Sequence, residues 1–160
     1  MNPLKSAVNG FIDKWNALWQ KEKEGIWFPF FRRYRISSTY GWRTHPVTGK
    51  KQFHNGIDIA AQEGTPIYSP SPGKIIKVWY DDINGNGVRI EHYNGKVSGF
   101  AHCQHILLKE GDAIDHATAV ATVGSTGRST APHLHWTLWK SKNREDGHVN
   151  PENWLQYRSE

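Results

Sequence analysis

The sequence predicts a mainly β protein: an antiparallel β-sheet domain preceded by one amphipathic N-terminal helix. Two observations carry this. From residue 35 onward, runs of β-branched and aromatic residues recur between turn signals, whereas a 3.6-residue apolar period is confined to the first 24 residues. Fifteen Gly, eight Pro and 12% aromatic residues in 160 positions also suit short strands and tight turns better than a helical bundle.

The elements follow in chain order. Residues 2–24 read as the helix. Asn2-Pro3 offers a cap and a first-turn proline, and Leu4, Ala7, Val8, Phe11, Ile12, Trp15, Leu18 and Trp19 repeat at helical spacing until Gly25. Ile26 to Phe31, with Pro29, is an aromatic connector, which places an N-terminal unit at 1–34 and the sheet domain at 35–160. The apolar stripe is expected to dock on that domain. A membrane-surface contact through residues 4–19 is the competing reading, and the near cancellation of Lys5, Lys14, Lys21 and Lys23 by Asp13, Glu22 and Glu24 speaks against it.

Between Arg35 and Pro72 the chain is turn-rich, with Gly41, Pro46, Gly49, Gly56, Gly64 and Pro66. Gly73 to Tyr80 is a strand, followed by a turn at Asn84-Gly85-Asn86-Gly87. Val88, Ile90 and His92 alternate with Arg89, Glu91 and Tyr93, and Asn94-Gly95 signals a two-residue hairpin into a strand at Lys96–His102. Thr118–Val123 and His133–Trp139 are further strands, separated by the Gly/Ser/Thr loop Gly124–Thr130.

Composition narrows the chemistry. With 37% apolar residues there is enough for one core, and no apolar run is long enough to span a membrane. A single cysteine excludes an intramolecular disulfide and zinc sites built on paired thiolates. The net charge of +5 suits an anionic polymer but is too dispersed to indicate nucleic acid. No secretion signal is read at the N-terminus, where Asn9-Gly10 interrupts the stretch from Ala7 to Ile12.

Nine histidines are many for this length. Three pieces stand out: His54-Asn55-Gly56-Ile57-Asp58, Ala101-His102 and His133-Leu134-His135. On a strand, His133 and His135 share one face while Leu134, Trp136 and Leu138 point into a core. Two adjacent imidazoles are costly to leave idle, since protonating both sets like charges side by side. A zinc ion would hold one of them neutral and leave the other for proton transfer. His54 and Asp58 can supply the remaining ligands, with Gly56 letting the backbone turn between them. Two histidines and one aspartate leave a fourth position open, which is the count of a catalytic rather than a structural zinc. His92, His105, His116 and His148 are read as ordinary, partly buried hydrogen-bonding residues.

These residues resemble the lysostaphin/LytM-type zinc metallopeptidases, which hydrolyse peptide bonds of bacterial peptidoglycan. The resemblance runs from Ser37 to about Leu155. Ser38-Thr39-Tyr40-Gly41-Trp42-Arg43 with His45-Pro46 looks like the family's opening motif, and Phe53-His54-Asn55-Gly56-Ile57-Asp58-Ile59 like its metal motif. Gly64-Thr65-Pro66-Ile67, Gly73-Lys74-Ile75 and Gly99-Phe100-Ala101-His102 follow in order. Gly124-Ser125-Thr126-Gly127, Pro132-His133-Leu134-His135 and Val149-Asn150-Pro151 close it.

The resemblance implies an antiparallel sheet bearing an active-site groove. It implies one zinc per chain on His54, Asp58 and His135, and catalytic roles for His102 and His133. Either free histidine could be the general base, the other supporting the oxyanion or protonating the leaving amine. The loop Val47–Gln52 lacks the tyrosine of oligoglycine-cutting members, and Tyr40–His45 looks more like members that cut D-alanyl–diaminopimelate cross-links. The expected partner is therefore peptidoglycan, met in the cell wall or periplasm by a monomer. Delivery by a phage, attachment to a virion, or removal of a leader would each bring it there.

Other function classes fit these residues less well. A non-catalytic wall-binding domain of the same fold would have lost metal ligands, whereas all three are present here. A cysteine peptidase would pair Cys103 with His102, but strand neighbours face opposite ways. A glycosidase needs two carboxylates across a cleft, and no glutamate lies in such a setting.

Overall fold

The computed structural model of the 160-residue chain describes Gly10, residues 25–45 and residues 48–158. The helix expected over residues 2–24 lies, apart from Gly10, outside the described residues. The fold class is as the sequence predicts. In chain order the strands are β1 (Ile26–Trp27), β2 (Ile36–Ser38), β3 (Gly41–Thr44), β4 (Lys51–His54), β5 (Ile57–Ala60), β6 (Pro66–Tyr68) and β7 (Gly73–Asp81). They continue with β8 (Gly85–His92), β9 (Val97–Cys103), β10 (Ala113–Ile114), β11 (Ala119–Thr122), β12 (His133–Trp139), β13 (His148–Val149) and β14 (Leu155–Gln156).

The main sheet runs β10-β7-β8-β9-β12-β5-β2, with β13 also on β12, and every pairing in it is antiparallel. Period-two alternation decides which face is which. Leu134, Trp136 and Leu138 of β12, Ile57 and Ile59 of β5, and Val88 and Ile90 of β8 are all 0% exposed. They pack on Ile67, Val120 and Val123 from the β6–β11 layer. The alternate residues His133, His135, Thr137 and Trp139 of β12 take the other face.

Two local expectations are corrected. The turn after β7 is Asp82–Asn84, and Gly85 already opens β8, paired with Asp81. The Asp81 carboxylate causes this by accepting the backbone N–H groups of Ile83 and Asn84 at 2.9 and 2.7 Å. The β8–β9 connection spans residues 93–96 rather than two residues, because His92 N–H bonds to the Lys96 carbonyl and Gly95 N–H to that of His92. The aromatic connector is core: Ile26, Phe28 and Phe30 are at most 2% exposed, and β1 pairs in parallel with β14.

His92 is buried in a closed polar chain. Its Nδ1 donates to the Ser71 carbonyl at 3.0 Å, so Nε2 accepts from Ser98 Oγ at 2.7 Å, which in turn accepts from Trp136 Nε1 at 3.1 Å. Every partner is met with the imidazole neutral. Burial, aided by the nearby Lys96 charge, outweighs the backbone bonds and pushes the His92 pKa down from 6.5 to about 4. Between those values the unfolded chain binds a proton that the folded chain refuses. Stability from this group is therefore full above pH 6.5 and lost as pH falls toward 4, by about 3 kcal/mol. Denaturant unfolding of wild type and His92→Gln at pH 7 and pH 4 checks this, since the variant should show a shallower loss over that window.

Candidate metal and catalytic site

All five residues singled out from the sequence lie in one groove of about 550 Å³ on the open face of the sheet. Strand register explains the assembly. His135 pairs directly with Asp58 on β5 and with Ala101 on β9, so three adjacent strands present their site residues at one level. His54 ends β4, whose hairpin with β3 stands beside the sheet, and only Asn55-Gly56 separates it from β5. Gly56 is needed for close approach rather than for a turn. A Cβ there would lie 2.2 Å from the Trp136 carbonyl oxygen, and backbone cannot yield.

His54 Nε2, Asp58 Oδ1 and His135 Nδ1 form a triangle with edges of 3.3, 2.9 and 3.2 Å. The opposite ring nitrogens are engaged. His54 Nδ1 donates to the Thr39 carbonyl at 2.8 Å, and His135 Nε2 lies 3.0 Å from Asn55 Oδ1 and 3.1 Å from Thr137 Oγ1. Each imidazole thus turns its lone pair toward the centre. Three acceptors this close require a proton or a cation among them. A tetrahedral zinc, with ligands at about 2.0–2.1 Å, places neighbouring donors about 3.3 Å apart, so the donor set fits that ion. Among the described residues this is the one His/Cys/Asp/Glu cluster with metal-ligand geometry. Burial alone would raise the Asp58 carboxyl, but the bonds and charges of His135 and His54 hold it well below the usual carboxylate range.

His102 and His133 stand beside this triangle, their ring centroids 5.0 Å apart. Strict alternation would send His102 to the core, because Ala101 shares a face with its partner His135. A bulge prevents that. Two steps along β8, from Asn86 to Val88, match three along β9, from Phe100 to Cys103, and His102 takes φ 61°. The left-handed backbone costs a non-glycine residue about 1–2 kcal/mol and restores the imidazole to the site face. His102 Nδ1 donates to the Thr126 carbonyl at 2.7 Å, and His133 Nδ1 to the Ala131 carbonyl at 2.8 Å. Both rings therefore turn a bare Nε2 outward, that of His133 lying 3.8 Å from Asp58 Oδ1. Burial lowers the His102 pKa, with the charges of His133 and His135 adding to it against the Thr126 bond.

The loop after β11 holds this arrangement. Thr126 Oγ1 donates to the Cys103 carbonyl at 2.7 Å and accepts Asn86 N–H at 3.1 Å. Gly127, at φ 73°, lies so close to the β7–β8 turn that a Cβ would come within 2.3 Å of Gly85 N.

Of the histidines read as ordinary, His92 and His148 hydrogen-bond as expected, the latter accepting Tyr40 O–H at 2.8 Å. His105 is exposed, and His116 is half-buried with Nδ1 lacking a partner among the described residues. Asn55 and Thr137 were missed as orienting residues, although Thr137 sits two positions from His135 on the same strand face. The Thr39, Thr126 and Ala131 carbonyls carry no side-chain signal at all.

Cys103 faces the core at 1% exposure, and burial pushes its thiol up to about 12. It cannot supply a thiolate to the groove. Cys103→Ser should keep turnover within about a factor of two, and alkylating reagents should leave the native protein active. A progress-curve assay before and after alkylation checks both.

Peptidase family M23 matches residues 52–151, which contain all five residues. The chain is 41% identical over 103 residues to the peptidoglycan DD-endopeptidase ShyC of Vibrio cholerae, covering 64% of this chain and 24% of that protein. The chain thus spans about a quarter of that curated relative. Its structure superimposes on a zinc-containing peptidase from Vibrio cholerae with TM-score 0.72 and 34% identity, covering 79% of this chain and 39% of that one. The catalytic domain of lysostaphin from Staphylococcus simulans gives TM-score 0.67 and 26% identity, over 75% of this chain and 90% of that domain. The matched segment takes in both the sheet registers and the donor triangle they create, and the chain belongs to peptidase family M23, a family of zinc metallopeptidases.

Proposed function

We propose that the protein is a peptidoglycan endopeptidase in which His54, Asp58 and His135 hold one zinc ion while His102 and His133 move protons. The bond we assign is the D-alanyl–diaminopimelate cross-link. The observation that carries this reading is the pairing of three converging acceptor atoms with two bare Nε2 atoms in the same groove. The naming of the relative ShyC as a peptidoglycan DD-endopeptidase supports the substrate.

Zinc, when bound, supplies a Lewis acid that polarises a carbonyl and makes water acidic. The remaining work falls to the chain. The carbonyls of Thr126 and Ala131 keep the Nδ1 protons of His102 and His133 in place, so each Nε2 is available to accept a proton from an attacking water. The protonated ring can then pass that proton to the leaving amine, while the other ring, when it enters the reaction as the imidazolium with Nε2 protonated, donates Nε2–H to the developing oxyanion. Asn55 and Thr137 hold the His135 ring so that Nδ1 faces the centre. Arg43 and Arg128 flank the same groove and favour an anionic wall polymer.

Mass spectrometry of muropeptides released from purified peptidoglycan tests this. The expected result is conversion of cross-linked dimers to monomers with a new amine on diaminopimelate. Intact dimers, or cleavage confined to sugar bonds, would overturn it.

A further inference from the structure

Beside the metal triangle, the open face of the sheet carries a second feature. A cavity of about 180 Å³ lies between Trp79, Arg89, Trp139 and Arg144, and it shares Asn55, Asn84 and His135 with the lining of the main groove. Register places it. Arg89, Gly99 and Thr137 form one row across β8, β9 and β12, two residues along from His135. At the strand rise this row lies about 7 Å from the His135 level. Gly99 leaves the floor open, since a Cβ there would find its closest neighbour at 3.7 Å.

Arg89 and Arg144 are held but not satisfied. The Arg89 guanidinium sits 5.0 Å from the Trp79 ring centroid, and that of Arg144 sits 4.9 Å from Trp139. Each guanidinium carbon therefore lies over an indole ring at cation–π distance. Among the described residues neither guanidinium has an ion pair. The Asp81 carboxylate, close to Trp79, is occupied by Trp79 Nε1 and by the backbone and amide of Asn84. Burial together with the neighbouring Arg144 charge lowers the Arg89 pKa, a sign of two cations sharing one hollow.

We infer that Arg89 and Arg144 form a carboxylate-binding subsite that grips a stem-peptide carboxylate one to two residues from the bond being cut. This rests on the proposed peptidoglycan endopeptidase activity and names the substrate group it selects. A bidentate guanidinium–carboxylate contact is what such a pair recognises. The carboxylate can be the side-chain carboxylate of diaminopimelate or the terminal α-carboxylate of a stem, which share the same chemistry.

The test compares cross-linked dimers with both carboxylates free, with the side-chain carboxylate amidated, and with the terminal one amidated. Each is cleaved by the zinc-loaded 160-residue wild type, Arg89→Gln and Arg144→Gln, with melting temperatures as a folding control. Wild type should prefer the free dimer by about 10- to 100-fold in kcat/KM over one amidated form, which identifies the carboxylate. In either variant that preference should collapse to within about 3-fold, mainly through KM. A wild type blind to both amidations overturns the subsite, as does a preference that survives both substitutions. Binding of the same dimers, followed by tryptophan fluorescence, separates the two readings. If wild type cleaves none of them, the proposed activity fails, and the subsite stands or falls on whether affinity depends on the carboxylate and on Arg89.

Discussion

Asp58→Ala should purify with less than about one tenth of the zinc of the wild type, against about one per chain, and its cleavage should fall to background. The carboxylate forms two edges of the donor triangle, at 3.3 Å to His54 Nε2 and 2.9 Å to His135 Nδ1. Removing it leaves two imidazole lone pairs 3.2 Å apart with no anion to offset a divalent charge. Asp58→Asn sharpens the test, because it preserves shape between the buried Ile57 and Ile59 while deleting the charge. The fold should survive both changes, since the Asp58 side chain faces the groove and not the core. His135→Ala should behave as Asp58→Ala does. Metal analysis after dialysis, with a cleavage assay on the same samples, decides. Full zinc and turnover in Asp58→Ala would remove the metal centre from these residues.

Much of this site could be read from the chain because it is written in strand alternation. His133–Trp139 is a strand with the predicted bounds, and Leu134, Trp136 and Leu138 are fully buried as alternation requires. The alternation of Val88, Ile90 and His92 holds for the same reason: one face of a packed sheet admits little else. What failed to show depends on contacts between distant segments. Nothing local announces that Ile26, Phe28 and Phe30 enter the core, because their partners lie near residues 155–157 and in the β6 layer. The turns at Asp82–Asn84 and 93–96 were displaced by side-chain and backbone bonds that Asn-Gly pairs do not reveal. Gly56 reads from the sequence as a turn residue, whereas its close approach to Trp136 is a tertiary fact. Strict alternation also hides how His102 reaches the groove. The bulge that turns it there is fixed by pairing with β8 and by the Asn84 carbonyl, which accepts His102 N–H at 2.7 Å.

That bulge bears on the second large effect. His102→Ala and His133→Ala should each keep zinc near one per chain yet lower kcat by about 10²- to 10⁴-fold, the range for lost proton transfer or oxyanion support. Neither ring contributes an atom to the donor triangle, so metal retention separates them from His135 on the same strand face. Because the two rings are proposed to act in one sequence of proton transfers, the double variant should lose far less than the product of the single losses. His102→Gly adds a control on folding. Glycine releases about 1–2 kcal/mol of backbone strain at φ 61°, against the loss of one hydrogen bond to Thr126, so stability should change little while turnover falls. Metal content, melting temperature and single-turnover rate on the same preparations give the answer. If His133→Ala emerges metal-free while His135→Ala keeps its zinc, ligand and catalyst are inverted. If either His102→Ala or His133→Ala turns over at the wild-type rate, that histidine is a bystander and the other must carry both proton transfers.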